Sequence, residues 1–144
     1  MSRLKIPASV YPDPKTLRLP LGLAAHPRLP IVYAGLPTAN KIAVYSYERA
    51  GKLKLQNVVG NSGMVVCWLT TNRRGSLLYA SNTADSTITV YEIASDPRAQ
   101  RELQKLSLRS HGGTYQLALS PDERNLVVVS QRFESKIPLG VGWQ

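Results

Sequence analysis

Cysteine and histidine are nearly absent from this chain of 144 residues, which contains Cys67 as its single cysteine and only two histidines. A lone cysteine cannot form a disulfide within the chain, so nothing in the sequence requires an oxidising compartment. These few side chains show no zinc-ligand spacing, and we expect no metal site. The phosphate-binding loop G-x-x-x-x-G-K-[ST] is also missing, and we expect no cofactor.

Long apolar segments are missing as well. No run approaches the roughly 18 apolar residues that a membrane-spanning helix needs, so we expect no membrane partner. The first residues, Met1 to Pro7, lack the apolar segment of a secretory signal. On these grounds we expect a soluble, cytoplasmic protein.

Acidic residues are scarce, because 9 Asp and Glu stand against 18 Lys and Arg, which gives a net charge of +9. Such a charge favours an anionic partner, such as a nucleic acid, a membrane surface or a phosphorylated metabolite. The basic residues are scattered, however, and only Arg73 and Arg74 are adjacent. No basic stripe alternates with stacking aromatic residues, so we do not expect nucleic acid as a partner. A solvated basic surface remains, with an anionic small molecule as the candidate ligand.

What the sequence does contain is an internal repeat. Tyr33 and Tyr79 lie 79 − 33 = 46 residues apart, and the pair Val44-Tyr45 recurs at the same distance as Val90-Tyr91. A third copy places Val128 49 residues after Tyr79. A period near 45 that contains several short strands is typical of the blades of a β-propeller.

Strands are predicted within each repeat from alternating side chains. In 41–47, Ile42 and Val44 share one face, and 87–93 repeats the pattern. Fourth, outer strands fit Leu53–Val59 and Leu103–Leu108. The segment 95–106 leaves two alternatives open, since Asp96 followed by Pro97 can also start a short helical turn before the outer strand.

The predicted fold class is therefore all-β, with four-stranded antiparallel sheets arranged as propeller blades. Known propellers have about four to eight blades, so this chain would form an incomplete ring. Residues 1–19 would form an extended N-terminal arm, in which Lys15–Leu19 is a candidate outer strand of a neighbouring blade. The repeats would occupy 20–130, with blades at about 20–59, 65–108 and, in part, 115–130, followed by an irregular tail at 131–144.

The repeats resemble those of the lactonase family of β-propellers, which includes 6-phosphogluconolactonases and carboxy-muconate cyclases. The resembling elements are Ala25-His-Pro27, Ile42-Ala-Val-Tyr-Ser-Tyr47, Leu78-Tyr-Ala-Ser-Asn82, Ile88-Thr-Val-Tyr-Glu-Ile93 and Ser120-Pro-Asp122. The resemblance covers about 20–130 and implies a lactone hydrolase with seven blades, in a chain more than twice this length. This chain is thus similar to a piece of such a protein.

The resemblance also implies a site of Arg, His and Glu near the central channel, but the matching positions lack these residues. If the first repeat is the one that carries the site, Leu21-Gly22 stands where the family has Arg-His, and Gly35-Leu36 where it has Asn-Glu. If the site belongs to a different blade, that blade is missing from the chain. Arg109 and His111 are the remaining candidates for catalysis, as an anion contact and a proton shuttle ahead of an inner strand. The alternative is that His111 is an ordinary loop residue beside two glycines and has no catalytic role.

Other polar residues have simpler interpretations as well. We interpret His26 as a turn residue and Cys67 as a small buried side chain rather than a nucleophile. We interpret Arg132 and Glu134 as a pair of solvent-exposed residues. The alternative is that they line the mouth of a channel.

Two functions follow as the leading alternatives. The first is a binding or scaffold module that needs oligomerisation, or a larger propeller partner, to complete its ring, because open blades expose apolar faces and strand edges. The second is a lactone hydrolase of the 6-phosphogluconolactonase type, active only in an assembled ring. A binder of anionic polymers is a third hypothesis, which steeply salt-dependent retention of DNA or RNA would support.

Overall fold

The computed structural model describes residues 6–108 and 112–131. Within them lie a short 3₁₀ turn and ten strands in three antiparallel sheets, which confirms the predicted all-β class of incomplete propeller. The turn is Ala8–Val10. The strands are β1 (Leu21–Ala25), β2 (Ile31–Leu36), β3 (Lys41–Tyr47), β4 (Leu53–Gly60), β5 (Val66–Thr71), β6 (Leu77–Asn82), β7 (Thr87–Glu92), β8 (Arg101–Ser107), β9 (Gly113–Leu119) and β10 (Leu126–Gln131).

Each sheet follows the order of its strands along the chain. The first sheet is β1-β2-β3-β4, the second is β5-β6-β7-β8, and β9 pairs with β10 in the third. The register repeats as well, because Tyr33 lies opposite Val44 in the first sheet and Tyr79 opposite Val90 in the second. The period of 46 residues seen in the sequence is therefore the distance between equivalent positions of two stacked sheets.

The main core lies between the first two sheets. Buried β-branched and aromatic side chains alternate along the inner and middle strands, and their apolar faces meet. Two glycines allow this close approach: a Cβ on Gly22 would lie 2.2 Å from the Cys67 carbonyl oxygen, and one on Gly35 would lie 2.8 Å from it. The members of this cluster include Tyr33, Ile42, Val44, Val66, Leu69, Leu78, Tyr91 and Ile93.

A second, smaller core joins the second sheet to the third. Ile88 and Val90 of β7 pack against Leu117 of β9. At the inner edge, the rings of Trp68 and Tyr115 lie 5.3 Å apart at an angle of 59°, a tilted arrangement that aromatic pairs favour. Three sheets thus stack side by side, as blades of a propeller do.

Three asparagines connect the first two sheets at one end. The Nδ2 of Asn40 donates to the Asn61 carbonyl oxygen at 2.9 Å, and the Nδ2 of Asn61 donates to the Asn82 Oδ1 at 2.9 Å. Asn82 is fully buried and donates in turn to the Thr87 and Thr89 hydroxyls. We call this end of the sheets, defined by Asn40, Asn61 and Asn82, the asparagine end.

The N-terminal segment packs on the first sheet. Val10 and Tyr11 are buried against the face of this sheet that points away from the second, and Lys41 donates to the Val10 carbonyl oxygen at 2.7 Å. Residues 15–19, the candidate outer strand, form no strand. They follow a turn at Asp13, whose carboxylate accepts from the Lys15 amide, and this local bond competes with sheet pairing.

In segment 95–106, the outer strand forms and the short helical turn before it does not. Asp96 and Ala99 close a single turn, and β8 begins at Arg101 without an intervening helix. Hydrogen bonds from the first sheet hold this loop, since the Tyr33 hydroxyl donates to the Pro97 carbonyl oxygen and the Asn57 amide to that of Arg98.

Candidate functional site

The two residues that the sequence singles out for catalysis, Arg109 and His111, lie outside the described residues, as do Arg132 and Glu134. Their neighbours are described: the Leu108 amide donates to the Ser86 carbonyl oxygen, and the Ser86 hydroxyl donates to the Gly112 carbonyl oxygen. Ser86 precedes β7, at the asparagine end of the second sheet. The roles of Arg109 and His111 in catalysis therefore stay predictions.

His26 lies at the opposite end of the sheets and is a buried turn residue. Its Nδ1 accepts from the amides of Arg28 and Leu29 at 3.2 and 3.1 Å. Because Nδ1 is an acceptor, the proton belongs on Nε2, which donates to the Gly75 carbonyl oxygen at 3.2 Å. Nδ1 thus closes the turn to which His26 itself belongs, and Nε2 connects this turn to the equivalent turn of the next sheet.

A cleft of about 350 Å³ opens beside this histidine. Three turns form its walls: the turn between β1 and β2, the turn between β5 and β6, and the loop between β7 and β8. Its lining combines polar groups with apolar side chains. The lining includes His26, Arg28, Leu29, Arg74, Ser76 and Pro97. We call this end, defined by Arg28 and Arg74, the arginine end.

The cleft has a rigid frame. Gly75 has a φ of +68°, a left-handed conformation that glycine adopts without strain, and a Cβ there would lie 2.5 Å from the His26 ring. On the opposite wall, the Tyr33 hydroxyl donates to the Pro97 carbonyl oxygen at 2.8 Å. Burial, followed by the nearby Asp96 carboxylate, raises the pKa of Tyr33 well above its usual range, so this phenol stays a neutral donor.

The cleft is positively charged. Neither the Arg28 nor the Arg74 guanidinium forms an ion pair with a described residue. The ion pair among the described residues joins Lys105 to Asp85, outside the cleft lining. The two arginines are 74 − 28 = 46 residues apart, one period of the repeat. The cleft is not evident from the sequence because its walls come from three separate turns, although the spacing of one period between the two arginines is a signal that points to it.

Cys67 is a buried core residue, as the sequence suggests. Its side chain is 4% exposed, and burial raises the pKa of the thiol despite a hydrogen bond from Thr83 that lowers it. A neutral, enclosed thiol is a poor nucleophile. Within 6–108 and 112–131, no three His, Cys, Asp or Glu side chains converge on a metal-sized site. The same residues include no helix long and apolar enough to cross a membrane.

Solved propeller structures resemble the chain. A candidate 6-phosphogluconolactonase from Bacteroides uniformis matches with a TM-score of 0.72 and 16% identity over 84% of this chain and 37% of that one. A periplasmic gluconolactonase from Pseudomonas aeruginosa matches with a TM-score of 0.70 and 23% identity, over 86% and 37%. Sqt1 from Saccharomyces cerevisiae matches with a TM-score of 0.60 and 14% identity, over 72% of this chain and 26% of that one. At these identities the likeness shows the fold alone, and the chain spans well under half of each protein.

Sequence comparison gives the family. No curated protein sequence matches the chain. The model of the lactonase family with a seven-bladed β-propeller, however, matches residues 15–130, which is most of the chain and includes all ten strands except the last residue of β10. The chain belongs to the lactonase family of seven-bladed β-propellers.

Proposed function

We propose that the chain is a propeller binding module whose ring is completed by further blades, supplied by a second copy or by a larger propeller partner. The family has seven blades, whereas the described residues form two four-stranded sheets and one two-stranded sheet. Propeller sheets are stable as a stack because each covers the apolar face of the next. A partial stack therefore favours association.

The third sheet supplies the observation on which this proposal rests. On its face away from the second sheet, Val127 and Val129 are 61% and 56% exposed, and Ala118 is exposed beside them. Among the described strands, β10 pairs only with β9, so no described strand covers its other edge. We call Ala118, Val127 and Val129 the outward face of the third sheet. Fully burying one valine side chain contributes about 1.5–3 kcal/mol to association.

The first sheet offers less surface for a neighbour. Its outward face is covered by the N-terminal segment through Val10 and Tyr11, which are 8% and 5% exposed. The Arg18 guanidinium lies 5.7 Å from the Tyr11 ring centre, a cation–π distance, and adds to this cover. We therefore expect partners to bind at the third sheet.

Light scattering after size exclusion tests the proposal. We expect a mass above the 15.8 kDa of one chain, and Val127→Asp should shift it towards the monomer because a buried carboxylate is unfavourable. Leu103→Asp is the matched control, since Leu103 is 45% exposed on the outer strand β8. A wild-type monomer at all concentrations, even with a larger propeller fragment added, would contradict the proposal. Equal masses for the two variants would contradict the assignment of the surface.

Lactone hydrolysis is the second candidate function, and membership of the lactonase family is the observation that favours it. In that reaction water adds to the ring carbonyl, the ring C–O bond breaks, and a hydroxy acid forms. His111 would move the proton and Arg109 would bind the substrate anion.

The hydrolysis test uses the assembled protein and glucono-lactone, with or without a 6-phosphate. Turnover that His111→Ala abolishes and Arg49→Ala leaves intact would support both the reaction and the site, because Arg49 is an exposed residue in a distant turn. Turnover that survives His111→Ala would reject the site alone. If an assembled ring shows no turnover, lactone hydrolysis is rejected and the binding module remains as the proposed function.

A further inference from the structure

We propose that the cleft at the arginine end is a binding site for a small molecule with a phosphate or carboxylate group. Arg28 and Arg74 would bind the anionic group, and the apolar side chains of the lining would contact the carbon skeleton. This site is independent of the proposed function, because it lies at the opposite end of the sheets from Leu108 and Gly112, which flank the candidate catalytic residues.

Contacts within the chain hold the frame of the cleft. Hydrogen bonds from the first sheet fix two of its three walls: His26 binds the Gly75 turn, while Tyr33 and Asn57 bind the loop at Pro97 and Arg98. A site whose walls are already ordered avoids part of the entropy cost of binding. The cleft thus meets the first requirement of a small-molecule site.

Donors converge on the cleft without acceptors of their own. The Arg28 and Arg74 guanidinium groups have no ion pair among the described residues. Ser76 adds a hydroxyl whose oxygen accepts from the Asn72 amide at 2.9 Å, while its proton finds no acceptor in the described part of the chain. Guanidinium groups match the oxygens of phosphates and carboxylates in a bidentate manner. Two arginines and one hydroxyl therefore favour an oxyanion.

The Asp96 carboxylate does not cancel this charge. Asp96 lies in the β7–β8 loop, where its Oδ1 accepts from the Arg98 amide at 2.8 Å. The Arg98 guanidinium also acts on the Tyr33 phenol, and its effect on the pKa of Tyr33 opposes that of Asp96. None of the residues that line the cleft is acidic, so Arg28 and Arg74 give its lining an excess of positive charge.

Volume and lining limit the size of the ligand. The cleft of about 350 Å³ lies at the lower end of the range for small-molecule sites, roughly 300–1,000 Å³. Leu29, Ile93 and Pro97 are the larger apolar side chains of its lining. These features favour a compact metabolite with one anionic group and a short carbon skeleton over a polymer, which would need an extended groove.

Titration calorimetry at low salt tests the site, because salt screens exposed charges. The probes are glycerol 3-phosphate for phosphates, malonate for carboxylates, and glycerol as the neutral control. We expect the first or second probe to bind at millimolar concentration or better, and glycerol not to bind. Arg28→Gln and Arg74→Gln should each weaken binding roughly tenfold, the equivalent of one charge-assisted hydrogen bond. Ser76→Ala should weaken it less.

Arg49→Gln is the matched control, since it removes the same charge from an exposed turn between β3 and β4, outside the cleft lining. All the arginines concerned are exposed, so the variants should keep the wild-type circular dichroism and melting temperature. In amide NMR spectra, the bound probe should shift Gly75 and Ser76. Absence of binding by both anions, equal weakening by Arg49→Gln, or shifts confined to other residues would overturn the proposal.

Discussion

Gly22→Ala tests whether the close approach of the first two sheets holds the fold together. A methyl group at Gly22 would lie 2.2 Å from the Cys67 carbonyl oxygen and 2.6 Å from the Trp68 Cα. Both obstacles are backbone atoms of β5, so no side chain can rotate away. The sheets would have to separate by about 1 Å, which loosens the packing of the core between them.

The magnitude follows from this geometry. Overpacking a close-packed core costs about 1–3 kcal/mol, and we expect the upper end here because backbone must move. The substitution also restricts the unfolded chain, which contributes about 0.4–1 kcal/mol in the opposite direction. Gly60→Ala measures this second effect alone, because a Cβ at Gly60 meets nothing within 4 Å.

Urea unfolding followed by far-ultraviolet circular dichroism is the assay, at one fixed protein concentration because association would alter the midpoint. With a slope of about 1–3 kcal/mol per molar urea, Gly22→Ala should lower the midpoint by roughly 1–2 M. Gly60→Ala should leave it unchanged or raise it slightly. Equal midpoints for the two variants would refute the reasoning, since the contact with Cys67 would then cost nothing.

Two further predictions concern buried ionisable groups. Stability should fall as the pH rises above 10.0, the ordinary tyrosine value, because burial raises the pKa of Tyr33 and Tyr91 and only the unfolded chain then ionises them. Urea midpoints at rising pH measure this, and a slope in Tyr33→Phe as steep as in the wild type would count against it. Cys67 should react with Ellman's reagent only after unfolding, because its side chain is 4% exposed and burial raises its pKa. Rapid modification of the native protein would disprove this.

The strands could be predicted from the sequence because their signal is local. Ile42 and Val44 alternate with outward-facing residues inside a single strand, and the copy one period later confirms the pattern. The loop before β8 could not be resolved in this way. A local Asp-Pro signal permits a helical turn there, whereas the loop is held by Tyr33, which lies 64 residues earlier in the chain than Pro97.

The cleft and the N-terminal cover depend on contacts of the same long-range kind. The sequence draws attention to Arg109 and His111 because their chemistry suits catalysis, while Arg28 and Arg74 look like ordinary turn residues. Only the stacking of the sheets brings the two arginines to one cleft. Similarly, nothing around Val10 and Tyr11 in the sequence indicates which sheet they cover.

The cover at Val10 and Tyr11 also limits how copies of the chain could add to one another. In polymer terms, a unit with two complementary reactive faces grows without limit unless it closes into a ring, whereas a unit with one face capped is a chain terminator. Here the N-terminal segment caps the first sheet, and the outward face of the third sheet stays exposed. Growth through that face alone would end after a single addition, giving a finite assembly rather than a fibre, and a closed ring would form only if the N-terminal segment also left the first sheet.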